Sequence, residues 1–233
     1  MAIEPSDVSE LAAAPVHELY PVTTPRPRAR FASSATKRAF DIVGAAIALV
    51  VSSPVFLLIA LAIKLDGRGP VIFKQVRIGA RCKPFVIWKF RTMRPDADRI
   101  APNISPSSDP RVTRVGKFLR RSYLDELPQL LNVLVGTMSI VGPRPETPEF
   151  VALYSAEERR VLNVKPGLLG PSTLASMDES ALLEAADDPY AYYVAVLMHE
   201  RVRLDLGYLD QMSLGTDLRL LARQLWKIVM GRG

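Results

Sequence analysis

The chain of 233 residues is long enough to bury one substantial hydrophobic core and too long for a miniprotein held together by disulfides. It contains a single cysteine, Cys82, and two histidines, which excludes an internal disulfide and a zinc site built from a Cys/His cluster. Thirty lysines and arginines against 24 acidic residues give a net charge of +6, which predicts anionic partners: nucleic acid, phosphorylated small molecules or an acidic membrane surface.

Residues 1–36 differ in composition from the rest of the chain. They contain five prolines among small, polar and basic side chains, with little periodic apolar surface that could fold alone. The apolar part of the chain begins only behind this polar lead, and no cleavage pattern of small residues closes it, so a secretory signal is not indicated. The composition predicts a disordered tail.

A long apolar stretch covers residues 39–63, where Asp41 is the only charged residue. A straight helix of about 20 residues crosses the hydrocarbon core of a bilayer, so this stretch has membrane length. Ser53 and Pro54 lie near its middle, and a proline inside a helix predicts a kink or a reversal. Basic residues flank the stretch on both sides and favour the cytoplasmic side. Two arrangements fit these residues equally: a re-entrant helix-break-helix that returns to its own face, and a spanning helix with a proline kink.

Residues 71–92 alternate apolar and basic side chains around residues 78–81, which include a glycine. The alternation predicts a β-hairpin with the glycine in its turn. The basic side chains of this hairpin are expected to lie beside an acidic surface or ligand.

A helical pattern occupies residues 216–230. Arg219, Arg223 and Lys227 recur one turn apart, and leucines and Trp226 are available to the other surface. Such a helix suits the membrane interface, and packing against the main domain explains the pattern about as well.

Two adjacent acids, Asp125 and Glu126, precede Pro128. Proline is best tolerated in the first turn of a helix, so Asp125 is predicted at or before a helix N-terminus, where negative charge and phosphate are favoured. By themselves, two such acids are most often a helix cap and its solvated neighbour.

The cations around this pair change its interpretation. Arg120 lies five residues before Asp125, and Arg144 follows the pair between two prolines that stiffen the backbone. An arginine held in this way presents a fork suited to phosphate oxygens. The sequence therefore predicts a carboxylate set among cations that serves as a nucleophile or a metal ligand, with Mg²⁺ as the usual companion of a diphosphate.

Four segments resemble, in this order, the successive motifs of the bacterial sugar transferase family, the monotopic phosphoglycosyl transferases. They are residues 37–65, 75–93, 124–145 and 164–174. The resemblance covers about residues 37–230. It implies an α+β, mainly helical fold: a monotopic membrane protein with a re-entrant helix-break-helix, a β-hairpin and interfacial amphipathic helices.

The resemblance also implies how the chain is organised. Residues 1–36 would be a disordered cytoplasmic tail and residues 37–66 the re-entrant membrane helix, with its break at Ser53 and Pro54. Residues 67–233 would form a catalytic domain on the cytoplasmic face of the bacterial inner membrane, ending in an interfacial helix.

The activity implied by the resemblance is transfer of a sugar 1-phosphate from a UDP-sugar to polyprenyl (undecaprenyl) phosphate, which yields a polyprenyl diphosphate-sugar and UMP. The partners would be these two substrates and inner-membrane lipid, without nucleic acid, and a homodimer stays open. Members using hexose 1-phosphates often carry a tryptophan after the PG-x-x-G segment, which is residues 166–170 here; residues 165–174 read KPGLLGPSTL without one, so the sugar stays open too. Two alternatives are a membrane-associated glycosyltransferase that releases UDP and a non-catalytic basic membrane scaffold.

Residue roles carried over from the resemblance centre on the acidic pair. Asp125 matches the nucleophile and the Mg²⁺ contact, and Glu126 its less defined catalytic partner. Arg144 matches the phosphate contact, and Arg120 supports the acidic pair and is expected among the phosphate-binding residues. Two further residues match a basic motif of the family and are expected to bind nucleotide phosphates, with a purely structural role as the alternative; they are Lys89 and Arg91.

Overall fold

The computed structural model describes residues 29–95, 97, 105, 109–175 and 179–230. Within these residues the helices are α1 (Ala29–Ala32), α2 (Ala35–Asp66), α3 (Arg114–Arg121), α4 (Gln129–Val135), α5 (Pro148–Ala152), α6 (Pro171–Ala175), α7 (Glu179–Ala185), α8 (Pro189–Tyr192), α9 (Met198–Gln211) and α10 (Leu214–Met230). The strands are β1 (Ile72–Ile78), β2 (Pro84–Phe90), β3 (Ser139–Val141) and β4 (Gly167–Leu169). Helices predominate, which confirms the mainly helical prediction.

The predicted tail overlaps the start of the ordered fold. Residues 1–28 lie outside the described part of the chain, whereas residues 29–36 contain α1 and the first turn of α2. Phe31 and Ala32 pack against a hydrophobic cluster that includes Ala45, Val133 and Tyr208. The folded region therefore begins at least eight residues before the expected boundary at residue 37.

Helix α2 continues through Pro54 without interruption, where two helices had been expected. Pro54 has no N–H to donate to the carbonyl of Val50. The hydroxyl of Ser53 donates to that carbonyl instead, with an O···O distance of 2.8 Å. Because the neighbouring serine replaces the lost donor, the proline does not end the helix.

The middle of α2 is apolar and largely uncovered by the rest of the protein. The helix is long and apolar enough to cross a membrane, and 11% of its apolar window is buried. Val50, Leu57 and Leu65 are 74%, 73% and 80% exposed. A contiguous apolar surface of this kind marks a membrane or protein interaction site, because water disfavours it. The exposure therefore supports association with a membrane.

The N-terminal end of α2 is fixed to the rest of the fold by buried charges. Lys37 is 2% exposed, and its Nζ lies 3.2 Å from Asp41 Oδ1 and 2.8 Å from Asp217 Oδ2 of α10. The Asp41 carboxylate also accepts hydrogen bonds from the Ser139 hydroxyl and the Ile140 amide of β3. The one charged residue of the apolar stretch is thus part of a structural network, hereafter the Lys37 network (Lys37, Asp41 and Asp217).

Strands β1 and β2 form the predicted hairpin, paired antiparallel from Ile72 opposite Phe90 to Ile78 opposite Pro84. The left-handed backbone positions of its turn are Arg81 and Cys82, with φ values of 58° and 56°. Gly79 lies between the two strands, as predicted, but at φ −109° it adopts an extended conformation and does not supply the left-handed positions of the turn.

Helix α4 holds the hairpin in place through one asparagine. Asn132 Oδ1 accepts from the Trp88 amide at 3.1 Å, and its Nδ2 donates to the Val86 carbonyl at 2.8 Å. These two bonds fasten β2 to the helix that follows the acidic pair. Lys89, the next residue of β2, is thereby brought beside Glu126.

Strands β3 and β4 pair in parallel and hold the Pro143–Pro145 segment in place. The Gly167 amide donates to the Pro143 carbonyl at 2.8 Å. A Cβ atom on Gly167 would lie 2.1 Å from the Gly142 nitrogen, so this close approach of two backbones requires glycine.

Helix α10 packs by one side and exposes the other. Asp217, Leu220 and Gln224 are buried, whereas Leu225 and Trp226 are 54% and 62% exposed. The buried side confirms packing against the domain, whereas a place for the exposed apolar side in a membrane interface stays a prediction.

Candidate active site

The acidic pair lies in a short 3₁₀ turn, Leu124–Glu126, between α3 and α4. Tyr123, just before it, is in the left-handed region with φ 57°, which turns the chain sharply after α3. Pro128 stands immediately before α4, as its rigid φ predicts. Asp125 is 8% exposed, so neither a solvated cap nor an ordinary surface carboxylate describes it.

Glu126 is paired with two cations from distant parts of the chain. Its Oε1 lies 2.8 Å from Lys89 Nζ of β2 and 3.5 Å from Arg144 Nη2. Burial alone would raise the pKa of Glu126, but the charges of Lys89 and Arg144 outweigh it and lower the pKa to about 2. Glu126 is therefore ionised across the physiological range, and its charge is used to hold the two cations.

The pKa of Asp125 is shifted in the opposite direction, upwards. Burial raises its pKa to about 6, and the charge of Glu126 adds to that effect, against the opposing charges of Lys89, Arg120 and Arg144. The two cations that pair with Glu126, Lys89 and Arg144, form no ion pair with Asp125. Two neighbouring carboxyls whose pKa values are pushed apart have separate chemical tasks. Of the two carboxyls, Asp125 is the one outside the ion pairs with Lys89 and Arg144, and with a pKa of about 6 it is ionised near neutral pH.

Arg144 is held by its backbone as well as by the two prolines. Its amide donates to Asp205 Oδ2 of α9 at 2.9 Å, and the same carboxylate accepts from the hydroxyl and amide of Ser172 at 2.8 and 3.2 Å. Asp205 therefore ties the Pro143–Pro145 segment to the start of α6. Sequence reasoning missed Asp205, because one acid in a helical segment far along the chain gives no local signal.

Sequence reasoning also missed a cluster of hydrogen-bonding side chains around Glu146. This buried carboxylate accepts hydrogen bonds from Arg77 at 3.2 Å, the Tyr193 hydroxyl at 2.8 Å and Arg201 at 3.3 Å. Burial would raise its pKa, but Arg77, Arg201 and Arg144 lower it. The alternating pattern of β1 predicted basic side chains beside an acidic surface or ligand. Arg77 of β1 contacts the Glu146 carboxylate, as that pattern predicts.

A small cleft lies between Lys89, Glu126 and Arg144. Its lining includes three cations and one acid that stays ionised, together with an amide and apolar residues; they are Arg77, Lys89, Arg144, Glu126, Gln129, Ile87, Pro145, Gly167 and Leu168. The excess of positive charge makes the cleft suited to an anion that carries more than one charge.

Arg120 lies behind Asp125. Its Nε donates to Thr92 Oγ1 at 3.0 Å and its Nη1 to Ser105 Oγ at 2.7 Å. The guanidinium lowers the pKa of Asp125 through its charge, which agrees with the supporting role that the resemblance implied.

Arg91 has a different environment from the one expected of a phosphate ligand. Its guanidinium is 93% buried and donates to the carbonyls of Ile63, Gly67 and Arg68, at the C-terminal end of α2. These carbonyls have no partner within the helix, so a buried arginine satisfies them. The contacts favour the structural alternative for Arg91, outside the lining of the cleft.

Of the acidic pair only Glu126 lines the cleft, and Asp125 lies next to it in the chain, outside the lining. Among the described residues no group of three or more His, Cys, Asp or Glu is placed to hold a metal. Mg²⁺ is commonly held by one or two carboxylates together with substrate phosphates. Asp125, which makes no ion pair with Lys89 or Arg144, is suited to such a site.

Comparison with known proteins supports the resemblance to the bacterial sugar transferase family. The model of the bacterial sugar transferase family matches residues 32–231. The UDP-glucose:undecaprenyl-phosphate glucose-1-phosphate transferase of Escherichia coli K12 is 40% identical over 199 residues, 82% of this chain and 39% of that protein. The undecaprenyl-phosphate glucose phosphotransferase of Komagataeibacter xylinus is 40% identical over 204 residues, 84% of this chain and 36% of that protein.

A shorter relative is matched over most of its length. The exopolysaccharide production protein PSS of Rhizobium leguminosarum bv. phaseoli is 42% identical over 192 residues, 79% of this chain and 90% of that protein. This chain thus spans less than half of the first two relatives and nearly the whole of the third. The match to the family covers the acidic pair, the hairpin and the Arg144 segment described above, and the chain belongs to the bacterial sugar transferase family.

Proposed function

We propose that this protein transfers a sugar 1-phosphate from a UDP-sugar to undecaprenyl phosphate, forming undecaprenyl diphosphate-sugar and UMP, as a first membrane step of surface glycan synthesis. The observation that carries the proposal is the divergence of the two adjacent carboxyls: Glu126 is fixed by two cations, while Asp125 stays reactive beside a cationic cleft. The names of the E. coli and Komagataeibacter relatives support the two substrates.

Asp125 is the nucleophile in this proposal. One of its carboxylate oxygens attacks the phosphorus that carries the sugar, the bond from that phosphorus to the bridging oxygen breaks, and UMP leaves. An oxygen of undecaprenyl phosphate then attacks the same phosphorus and breaks the bond to Asp125. The carboxylate is regenerated, so the cycle needs no further reactant.

The cations of the cleft position the phosphates. Lys89 and Arg144 both contact Glu126, so their charged ends converge on one point next to Asp125. Because Glu126 compensates only part of their charge, they can still attract phosphate oxygens. Mg²⁺, held by Asp125 together with phosphate oxygens, would supply further neutralisation of the diphosphate charge.

We also propose that α2, which is continuous in this structure, bends at Pro54 in the bilayer so that both of its ends lie on one side, and that the catalytic domain lies on the cytoplasmic face of the inner membrane. Basic residues flank the apolar stretch on both sides. The exposed apolar residues of α2 and α10 would both enter the bilayer, which brings the cleft near the headgroups, where a lipid-linked phosphate is found.

Product analysis tests the reaction. Detergent-solubilised protein is incubated with a panel of radiolabelled UDP-sugars and undecaprenyl phosphate, and the nucleotide and lipid products are separated. UMP together with a diphosphate-linked lipid is expected. Release of UDP would contradict the proposal in favour of a glycosyltransferase, and no turnover with any sugar would favour a scaffold.

The intermediate has its own test. Protein is mixed with a UDP-sugar in the absence of the lipid acceptor and analysed by intact mass and peptide mapping. A sugar-phosphate adduct at Asp125 is expected, and Asp125→Asn should show none. Formation of lipid product without any such adduct would refute covalent catalysis.

The membrane path can be tested with cysteines at the two ends of α2. Thr36→Cys and Gly67→Cys, each in a Cys82→Ala background, are labelled with an impermeant maleimide in right-side-out and inverted vesicles. Thr36 is exposed, and a side chain at Gly67 meets no atom within 4 Å. A re-entrant helix predicts labelling of both only in inverted vesicles. Labelling from opposite sides would establish a spanning helix.

A further inference from the structure

Gln129 has a feature that the proposed chemistry has not used. Its side chain is 98% buried and lines the cleft, yet the amide nitrogen Nε2 has no hydrogen-bond partner. A buried polar group without a partner costs free energy, and native structures rarely keep one without a reason. The nitrogen is covered in this structure while its residue lines a cationic cleft, so an anionic ligand that displaces the cover would supply the missing acceptor.

The position of Gln129 identifies the part of the ligand that it would meet. It is the first residue of α4, three residues after Glu126, and it shares the cleft with Lys89 and Arg144. Those two cations converge on Glu126. The acceptor that Nε2 lacks therefore belongs where the charged ends of the cleft would hold a phosphate.

We infer that Gln129 binds the substrate, and that its Nε2 donates a hydrogen bond to an oxygen of the sugar-linked diphosphate. The inference rests on the proposed function, which places a diphosphate in this cleft. The inference adds an uncharged residue to the site, and the lack of charge matters for Asp125. A further cation beside the pair would lower the pKa of Asp125 and compete for its carboxylate, whereas an amide directs a hydrogen bond without forming an ion pair with the nucleophile.

Gln129→Met tests the inference, because methionine keeps the length of the side chain and removes the donor. Loss of a hydrogen bond to a charged phosphate weakens binding roughly ten- to hundredfold. We expect the Kd for inorganic diphosphate and for UDP, and the KM for the UDP-sugar, to rise by that factor. The thermal midpoint should stay the same or rise, because the variant no longer buries an unpaired amide. A packing role predicts the reverse: a lower midpoint with unchanged binding.

Gln224→Met is the matched control. Gln224 lies in α10, is 97% buried and has an unpartnered Oε1, but it does not line the cleft. Its replacement should therefore alter the thermal midpoint in the same direction as Gln129→Met and leave the Kd for diphosphate unchanged. An equal loss of affinity in both variants would overturn the inference.

The two measurements separate this inference from the proposed function. Binding of inorganic diphosphate is measured on the full-length solubilised protein by calorimetry, and turnover is measured as UMP release. If the wild type binds diphosphate without releasing UMP, the proposed function fails, and the binding data still decide the role of Gln129. If Gln129→Met binds diphosphate within twofold of the wild type, as it would if a water satisfied the amide, the inference is wrong. Absence of diphosphate binding by the wild type also overturns it.

Discussion

Replacement of Asp125 by asparagine should stabilise the folded protein at pH 8 while abolishing transfer. The pKa of this carboxyl rises from 3.8 to about 6 on folding, chiefly through burial. A pKa difference of one unit corresponds to about 1.4 kcal/mol, so the ionised carboxylate destabilises the fold by about 3 kcal/mol. Because the folded pKa is the higher one, this cost is absent below about pH 4, grows as the pH rises and is complete above about pH 6.

The assay is thermal unfolding of the wild type and Asp125→Asn in detergent at pH 8 and pH 4. For a protein of this size, about 3 kcal/mol corresponds to a rise of roughly 6–12 °C in the midpoint. The rise should be seen at pH 8 and largely disappear at pH 4. Turnover by the variant, measured as UMP release, should fall by several orders of magnitude, because an amide is not a nucleophile.

Glu126→Gln is the control with the opposite sign. The pKa of Glu126 is lowered to about 2, so its ionised form stabilises the fold above about pH 4.5, and that contribution is lost only as the pH falls through about 2. Its removal leaves Lys89 and Arg144 without their shared partner and should cost about 3–5 kcal/mol at pH 8. Midpoints that move in the same direction for both variants would refute the division of roles between the two acids.

Three further predictions concern pH, capping and backbone packing. The value of kcat/KM should rise with pH through an apparent pKa near 6, since only ionised Asp125 attacks phosphorus; a rate that falls across pH 5–7 would contradict this. Arg91→Met should lower the free energy of unfolding by about 2–4 kcal/mol in a denaturant titration, with the KM of the folded fraction unchanged, whereas a raised KM would return Arg91 to the phosphate site. Gly167→Ala should destabilise the β3–β4 pairing and increase proteolysis near Gly142, because its methyl group has no room; wild-type resistance would argue against this packing.

Local patterns predicted much of the fold because they depend on neighbouring residues. Alternation along residues 71–92 is enough to give the hairpin, and the fixed φ of Pro128 is enough to place the start of α4. The continuity of α2 was not predicted, since it depends on one hydroxyl: Ser53 replaces the donor that Pro54 lacks.

The site was predicted only in part because its geometry joins distant segments. Lys89 and Arg91 match one basic motif of the family and were therefore assigned the same role. Strand β2 ends at Phe90, however, so Lys89 contacts Glu126 while Arg91 turns to the carbonyls that end α2. Asp205 acts from α9 on the backbone of Arg144, and no spacing rule connects two such positions.

The Lys37 network constrains the order in which the molecule is assembled. Translation delivers α2 early, but Asp217, which completes the charge pairing of Lys37, arrives with α10, almost the whole domain later. Until then the Lys37 ammonium has only Asp41, in its own helix, as a charged partner, so water must hydrate it. A chain that ends before residue 217 would therefore lack the second partner that lets Lys37 be buried.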